Sequence, residues 1–213
     1  MPRSATSPAK RRGRQRSVAA ETAILEAAVE LLTKRPLSEV TTEAIARKAG
    51  VSKATIYKWW PNKNLVALDA FSARLKADVV MPDTGSAKLD FTRQLKDTIV
   101  FYKSPLGRML RQFLAEGQND PGFLQLFRES FLKRRRDSLL TLWRRGVERG
   151  EIRPEVDGEL VLDLIFGPVI YRLMAGHGAL DENQATAIIE AVFCGVQTSP
   201  ARKSATIPAK GQA

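Results

Sequence analysis

From Ile24 to Val196 apolar residues return every three or four positions, and no stretch alternates apolar with polar as a half-buried strand would. That periodicity predicts an all-α chain. Ile24, Ala27, Ala28 and Leu31 set a first helix over about residues 18–34, and Pro36 ends it. Thr41 and Thr42 offer N-caps for a short second helix through Lys48, Gly50 supplies the turn, and Ser52 caps a third short helix to about Trp59. Pro61-Asn62 then punctuates before a fourth, about 63–79. Longer helices follow at about 88–103, 105–117, 122–149 and 157–175, with a last one capped by Asp181 that carries Ile188, Ile189, Val192, Phe193 and Val196. About nine helices result, with no internal repeat.

Several kinds of chemistry are hard to build from this chain. Cys194 and His177 are the sole cysteine and histidine in 213 residues. An intrachain disulfide and a Cys-based zinc site are therefore excluded, and His-centred triads are hard to assemble. We expect no enzyme, no metal site and no cofactor. No run of eighteen apolar residues occurs, and the most apolar segment, 160–174, is broken by Asp163 and Arg172. The nearest candidate for a leader, 18–32, carries Glu21, Glu26 and Glu30. Neither a membrane span nor a secretory signal is expected, and a cytoplasmic protein is.

Charge is unevenly placed. Residues 1–18 hold Arg3, Lys10, Arg11, Arg12, Arg14 and Arg16 with no acid, and residues 198–213 hold Arg202, Lys203 and Lys210. These ends account for +9 of the formal +11, so the body is near neutral. Both ends are rich in Ala, Pro, Ser and Lys and cannot bury enough apolar surface to fold. The expected organisation is a disordered basic arm over 1–16, a small helical head over 17–63, a larger helical domain over 64–197 and a disordered tail over 198–213. The arm should add affinity for DNA by reaching phosphate or an adjacent minor groove.

The stretch TTEAIARKAGVSKATIYKWWPNK, residues 41–63, forms a helix-turn-helix whose second helix is sized for the DNA major groove. Arg47, Lys48, Lys53, Lys58 and Lys63 give five positive charges, and no acid falls between Glu43 and Asp69. That is a local cationic face of the kind that binds phosphate. Thr42, Ser52, Thr55 and Tyr57 add hydroxyl donors, and helix-start amides near Thr42 and Asn62 can do the same work. The same geometry occurs in proteins that bind no nucleic acid, but the charge and hydroxyl content here point to DNA.

Residues 17–67 resemble the DNA-binding domain of the TetR family of bacterial transcriptional regulators. VSKATIYKWWPNK is similar to the family's recognition-helix pattern, and TTEAIARKAGV to the preceding helix and turn. RRGVERGEIRPEVDGELVLDLIFGPVIYRLMAGHGALD is similar to a ligand-binding subgroup of the same family. The resemblance implies a homodimeric, ligand-responsive regulator, usually a repressor, with dimer contacts from the last two helices. It places Lys53, Ala54, Thr55 and Lys58 facing base edges or adjacent phosphates. Thr42, Tyr57, Trp59 and Lys63 fall where the DNA backbone is held, while Val51, Ile56 and Trp60 pack inside the head. Trp59 stands where the family often has His; it keeps an N–H donor but cannot become cationic.

A small-molecule effector is expected in the helical domain, lined by some of Phe101, Met109, Phe113, Phe127, Trp143, Phe166 and Tyr171. The dimer seam is expected from Val161, Leu164, Ile165, Ile189, Val192 and Phe193. Two recognition helices roughly 34 Å apart would then match a near-palindromic operator on double-stranded DNA. Cys194 is expected as a small core hydrophobe, His177 in an exposed Gly-flanked loop, and Lys133-Arg134-Arg135-Arg136 as a solvated surface. An activator of the same fold is the alternative reading. A helical enzyme lacks convergent titratable groups, and a scaffold without DNA binding leaves the charge of residues 41–63 unexplained.

Overall fold

The computed structural model describes residues 12–75 and 81–197. Among them every regular element is helical, and the lone β-bridge pairs Ile152 with Gln197. The helices are α1 (Arg12–Leu32), a 3-10 turn (Leu37–Glu39), α2 (Thr42–Ala49), α3 (Lys53–Tyr57), α4 (Lys63–Leu75), α5 (Ala87–Lys103), α6 (Pro105–Asn119), α7 (Pro121–Phe127), α8 (Lys133–Glu148), α9 (Gly158–Ala175) and α10 (Glu182–Val196). α7 runs into α8 through a π-turn at Arg128–Leu132, so the long helix expected from the sequence is continuous but locally widened. α1 begins at Arg12, earlier than the periodicity suggested, because apolar spacing marks only the packed part of a helix. The remainder of the expected arm, the expected tail and the last turn expected of the fourth helix lie outside the described residues.

Packing divides the chain into two units. The first holds residues 12–75 with Thr98–Asp137. α1 lies on α2 and α4, and α2 on α3. Ile24, Ala28, Leu32, Ile45, Ile56, Trp60 and Val66 form the buried centre of this head. The same core continues without interruption into α6 and α7, through Phe71, Met109, Leu110, Phe113, Phe123 and Phe127. Phe71 of α4 is the joint. Its ring lies 5.3 Å from Phe113, 5.1 Å from Phe131 and 6.3 Å from Phe101, edge-on or tilted as aromatic pairs prefer. α6 starts tight against the end of α5: a Cβ on Gly107 would sit 2.4 Å from the Tyr102 carbonyl oxygen.

The second unit holds Met81–Asp97 with residues 138–197. Phe91, Leu95, Leu142, Ile152, Val161, Ile165, Ile189 and Phe193 fill its core. Asp157 and Asp181 cap α9 and α10, accepting from the amides of Glu159 and Asn183 at 3.0 and 2.9 Å. Arg149 gathers the carboxylates of Asp83, Asp90 (3.6 Å) and Glu151 (3.9 Å), tying the segment before α5 and the first turn of α5 to the residues that follow α8. The Arg149 guanidinium holds the Asp83 carboxyl below its ordinary range. No helix among the described residues is long and apolar enough to cross a membrane.

Two expectations fail at single residues. Cys194 is exposed, because α10 buries its Ala185, Ile189, Phe193, Val196 stripe and turns Cys194 away. Arg135 is not simply solvated: its guanidinium donates to the Thr98 hydroxyl at 3.2 Å. Four consecutive bases span the whole circumference of a helix, so one of them must face inward.

Candidate nucleic-acid interface

The recognition helix is fixed at both ends by local chemistry. Thr41 Oγ1 accepts from the Ala44 amide at 3.1 Å and starts α2, and Gly50, at φ +68°, ends it in a left-handed turn. Ser52 Oγ accepts from the Thr55 amide at 3.2 Å and starts α3. Ile56 is the one residue of α3 turned fully inward. α3 closes at Tyr57, two residues short of the expected Trp59, because the chain bends through Lys58 and Trp59 ahead of Pro61. Asn62 Oδ1 then accepts from the Leu65 amide at 3.0 Å and begins α4.

With Ile56 inward, Ser52, Lys53, Ala54, Tyr57 and Lys58 are exposed and Thr55 is half-buried beside them. These six residues occupy the circumference of the short helix around the inward Ile56. The remaining expected contacts are placed differently. Thr42, the first residue of α2, is buried at 7% exposure. Trp59 is half-buried against the head core, with its ring edge-on to Trp60 at 5.7 Å. Trp60 is buried as expected, and its indole N–H donates to Asp69 of α4 at 2.7 Å.

Three of the five cations of residues 41–63 already have partners within the chain. Lys48 pairs with Glu30 of α1 at 2.8 Å. Lys63 Nζ donates to the carbonyls of Leu37 and Ser38, at 2.9 and 3.3 Å. Lys53 pairs with Glu43 at 2.7 Å, which draws the Glu43 carboxyl below its usual range and the Lys53 ammonium above its own. Sequence reasoning missed all three pairings, since ten to twenty-six residues separate the members of the last two. The single acid retained in a cationic stretch was the available signal for the Lys53 pair.

Two family models match the chain. Residues 24–69 match the model of bacterial regulatory proteins of the tetR family, and residues 81–192 match a tetracyclin repressor-like C-terminal domain. The uncharacterized HTH-type transcriptional regulator YdeS of Bacillus subtilis is 35% identical over 194 residues, spanning 91% of this chain and 98% of that one. The chain belongs to the TetR family. The crystal structure of the TetR family transcription regulator SCO0332 is 33% identical, covers 83% of this chain and 98% of its own, and superimposes with a TM-score of 0.71. FadR from Bacillus subtilis, solved in complex with stearoyl-CoA, shares the fold at 20% identity, covering 82% of this chain and 98% of its own, with a TM-score of 0.61.

This TetR-family chain is thus a DNA-binding transcriptional regulator with a helix-turn-helix head and a helical body. The residues expected to line an effector pocket separate into two groups. Phe101, Met109, Phe113 and Phe127 lie together in the first unit, the last three fully buried, while Trp143, Phe166 and Tyr171 lie in the second. An open groove of about 320 Å³ involves Trp143 with Leu140, Arg144 and residues 154–159. Of the residues expected at a dimer seam, Val161, Ile165, Ile189 and Phe193 are buried in the chain's own core. Leu164 is exposed and Val192 half-buried. The apolar side chains left outside on α9 are Leu160, Leu164, Tyr171 and Met174.

Proposed function

We propose that the protein is a homodimeric repressor, held on a near-palindromic operator and released by a small-molecule effector. The observation that carries the dimer is the outer face of α9. Leu160, Leu164 and Tyr171 remain 52%, 47% and 66% exposed beside a core already complete without them. They fall with Gly167 on one stripe at i, i+4, i+7 and i+11, as a helix-packing face does. A second copy covering this stripe, and Val192 with Ala187 and Ala191 of α10, would bury it. Residues 17–63 then act as the reading head and residues 64–197 as the effector-binding and dimerising body, in the cytoplasm.

On DNA, Lys53 and Ala54 at the start of α3 meet base edges, since the first residues of a recognition helix reach furthest into the groove. Ser52, Thr55, Tyr57 and Lys58 hold flanking phosphates, with Thr42, Trp59 and Lys63 at the margin. The effector parts the apolar cluster of Phe71, Phe101, Met109, Phe113 and Phe127. Phe71 lies on α4, and α4 holds the end of the recognition segment through Asp69 and Trp60, so displacing that ring turns the head. Two relatives in fold support a bound small molecule, one solved with stearoyl-CoA and one, at 20% identity and a TM-score of 0.58, with choline.

Sedimentation at micromolar concentration should give a dimer, and footprinting on a duplex selected from random sequence should protect two half-sites. Leu164→Asp with Tyr171→Asp should leave a folded monomer with weakened protection. A wild-type monomer would overturn the proposal. Transcription from a promoter carrying the selected site should fall when protein is added, whereas a rise identifies an activator.

A further inference from the structure

Glu43 stands alone as an acid between Glu39 and Asp69, in the segment that meets DNA. A carboxylate there repels phosphate, so its presence needs a reason. Its place in the first turn of α2, where its carboxylate takes hydrogen bonds from its own backbone amide and from Thr41, favours the helix start, but that role does not require Lys53. Its partner is Lys53 at 2.7 Å, and the two side chains are 58% and 53% exposed, a setting in which ion pairs contribute little. The pair does have a consequence for chemistry, because Lys53 is the first residue of α3. An ammonium has three donors and can serve a carboxylate and a base edge together, whereas a free lysine on its flexible stem swings to the nearest phosphate.

We propose that Glu43 is a positioning residue for sequence discrimination: it fastens the Lys53 ammonium at the tip of the recognition helix, so that Lys53 reads acceptors such as guanine O6 and N7 and is withheld from phosphates. On a matching site Lys53 donates to the base edge while still held by Glu43. On other DNA the fastened ammonium contributes no phosphate contact, and the carboxylate adds repulsion. Glu43 thus lowers non-specific affinity more than specific affinity. This rests on the assignment of Lys53 to base reading.

The test is a double-mutant cycle on the full chain, with a duplex selected from random sequence and a scrambled control. Both side chains are exposed, so Glu43→Gln and Lys53→Gln leave the core untouched. Glu43→Gln should tighten the scrambled duplex about five-fold, the effect of the freed Lys53 ammonium meeting one phosphate at about 4 Å across water. It should also steepen the salt dependence on that duplex by about 0.9 for the lysine freed to reach phosphate. Affinity for the selected duplex should change by less than two-fold, so discrimination falls. In the Lys53→Gln background the same change should lose most of its effect on the scrambled duplex. An equal shift on both duplexes, or a full shift persisting without Lys53, overturns the proposal. If Lys53→Gln leaves the base preference unaltered, the assignment of Lys53 fails and the proposal falls with it. An altered preference with no effect of Glu43→Gln overturns the proposal alone.

Discussion

Lys63 is the residue at which the head's stability and its surface chemistry meet. Its Nζ bridges the Leu37 and Ser38 carbonyls from the start of α4, closing the turn between α1 and α2. The Leu37 amide in turn donates to Gln112 of α6 at 2.8 Å, so both polar groups of one peptide residue are held by distant elements. A hydrogen bond from a charged donor contributes more than a neutral one, about 1.5–3 kcal/mol. Lys63→Met keeps the aliphatic stem and removes only the donors. It should lower unfolding free energy in urea by about 1–2 kcal/mol and weaken all duplexes alike. Unchanged stability with weakened binding would mean the clamp is replaced by water at no cost. Tyr102, in the same unit, has its hydroxyl pushed up to about 12 by burial, against the opposing pull of Arg135.

At the scale of elements, α6 is the support on which the head rests. Ser104 caps it, its Oγ accepting from the Gly107 amide at 3.2 Å, and Pro105 takes the first helical position, where its missing N–H costs nothing. The entry is so close that a Cβ at position 107 would lie 2.4 and 2.5 Å from the carbonyl oxygens of Tyr102 and Phe101. Both obstacles are backbone, so they cannot rotate aside. Gly107→Ala should therefore displace the start of α6 and cost about 3 kcal/mol or more, where the same change on an exposed helix surface stabilises by about 1 kcal/mol. Thermal unfolding checks the sign. The helix boundaries were legible in advance wherever a cap or breaker stands in the sequence, as at Thr41, Gly50, Ser52, Pro105 and Asp157. The π-turn at Arg128–Leu132 was not, since no residue type marks a single widened turn.

For the whole molecule, the informative quantity is how stability depends on association. If α9 meets a second copy, folding and dimerisation are linked, and the unfolding temperature rises with protein concentration. A hundred-fold increase in concentration should raise it by a few degrees in the wild type, and the dependence should vanish in the Leu164→Asp, Tyr171→Asp pair. A concentration-independent wild type would mean the exposed stripe stays in water. The large apolar side chains illustrate the limit of sequence reading at this scale. Phe101, Met109, Phe113 and Phe127 and, separately, Trp143, Phe166 and Tyr171 carry the same apolar signature, yet they belong to different units.

The sequence by itself determined the all-α class, the order of the helices, the caps that start them and the inward stripe of the head, with Ile24, Ile45, Ile56 and Trp60 buried. These depend on spacings of a few residues and on side chains bonding to their own turn, so they are written locally. It also singled out α3, because helix length, turn and charge coincide over residues 41–63. Tertiary structure decided the rest. Apart from Glu159, Asp163 and Arg172, α9 carries apolar residues on every side, so periodicity could not say that Val161 and Ile165 turn inward while Leu160 and Leu164 stay outside. Nor could it join Lys53 to Glu43, Lys63 to the 3-10 turn or Trp60 to Asp69. An ion pair or hydrogen bond between elements depends on where the helices cross, and that is fixed by side chains packing together from every part of the chain.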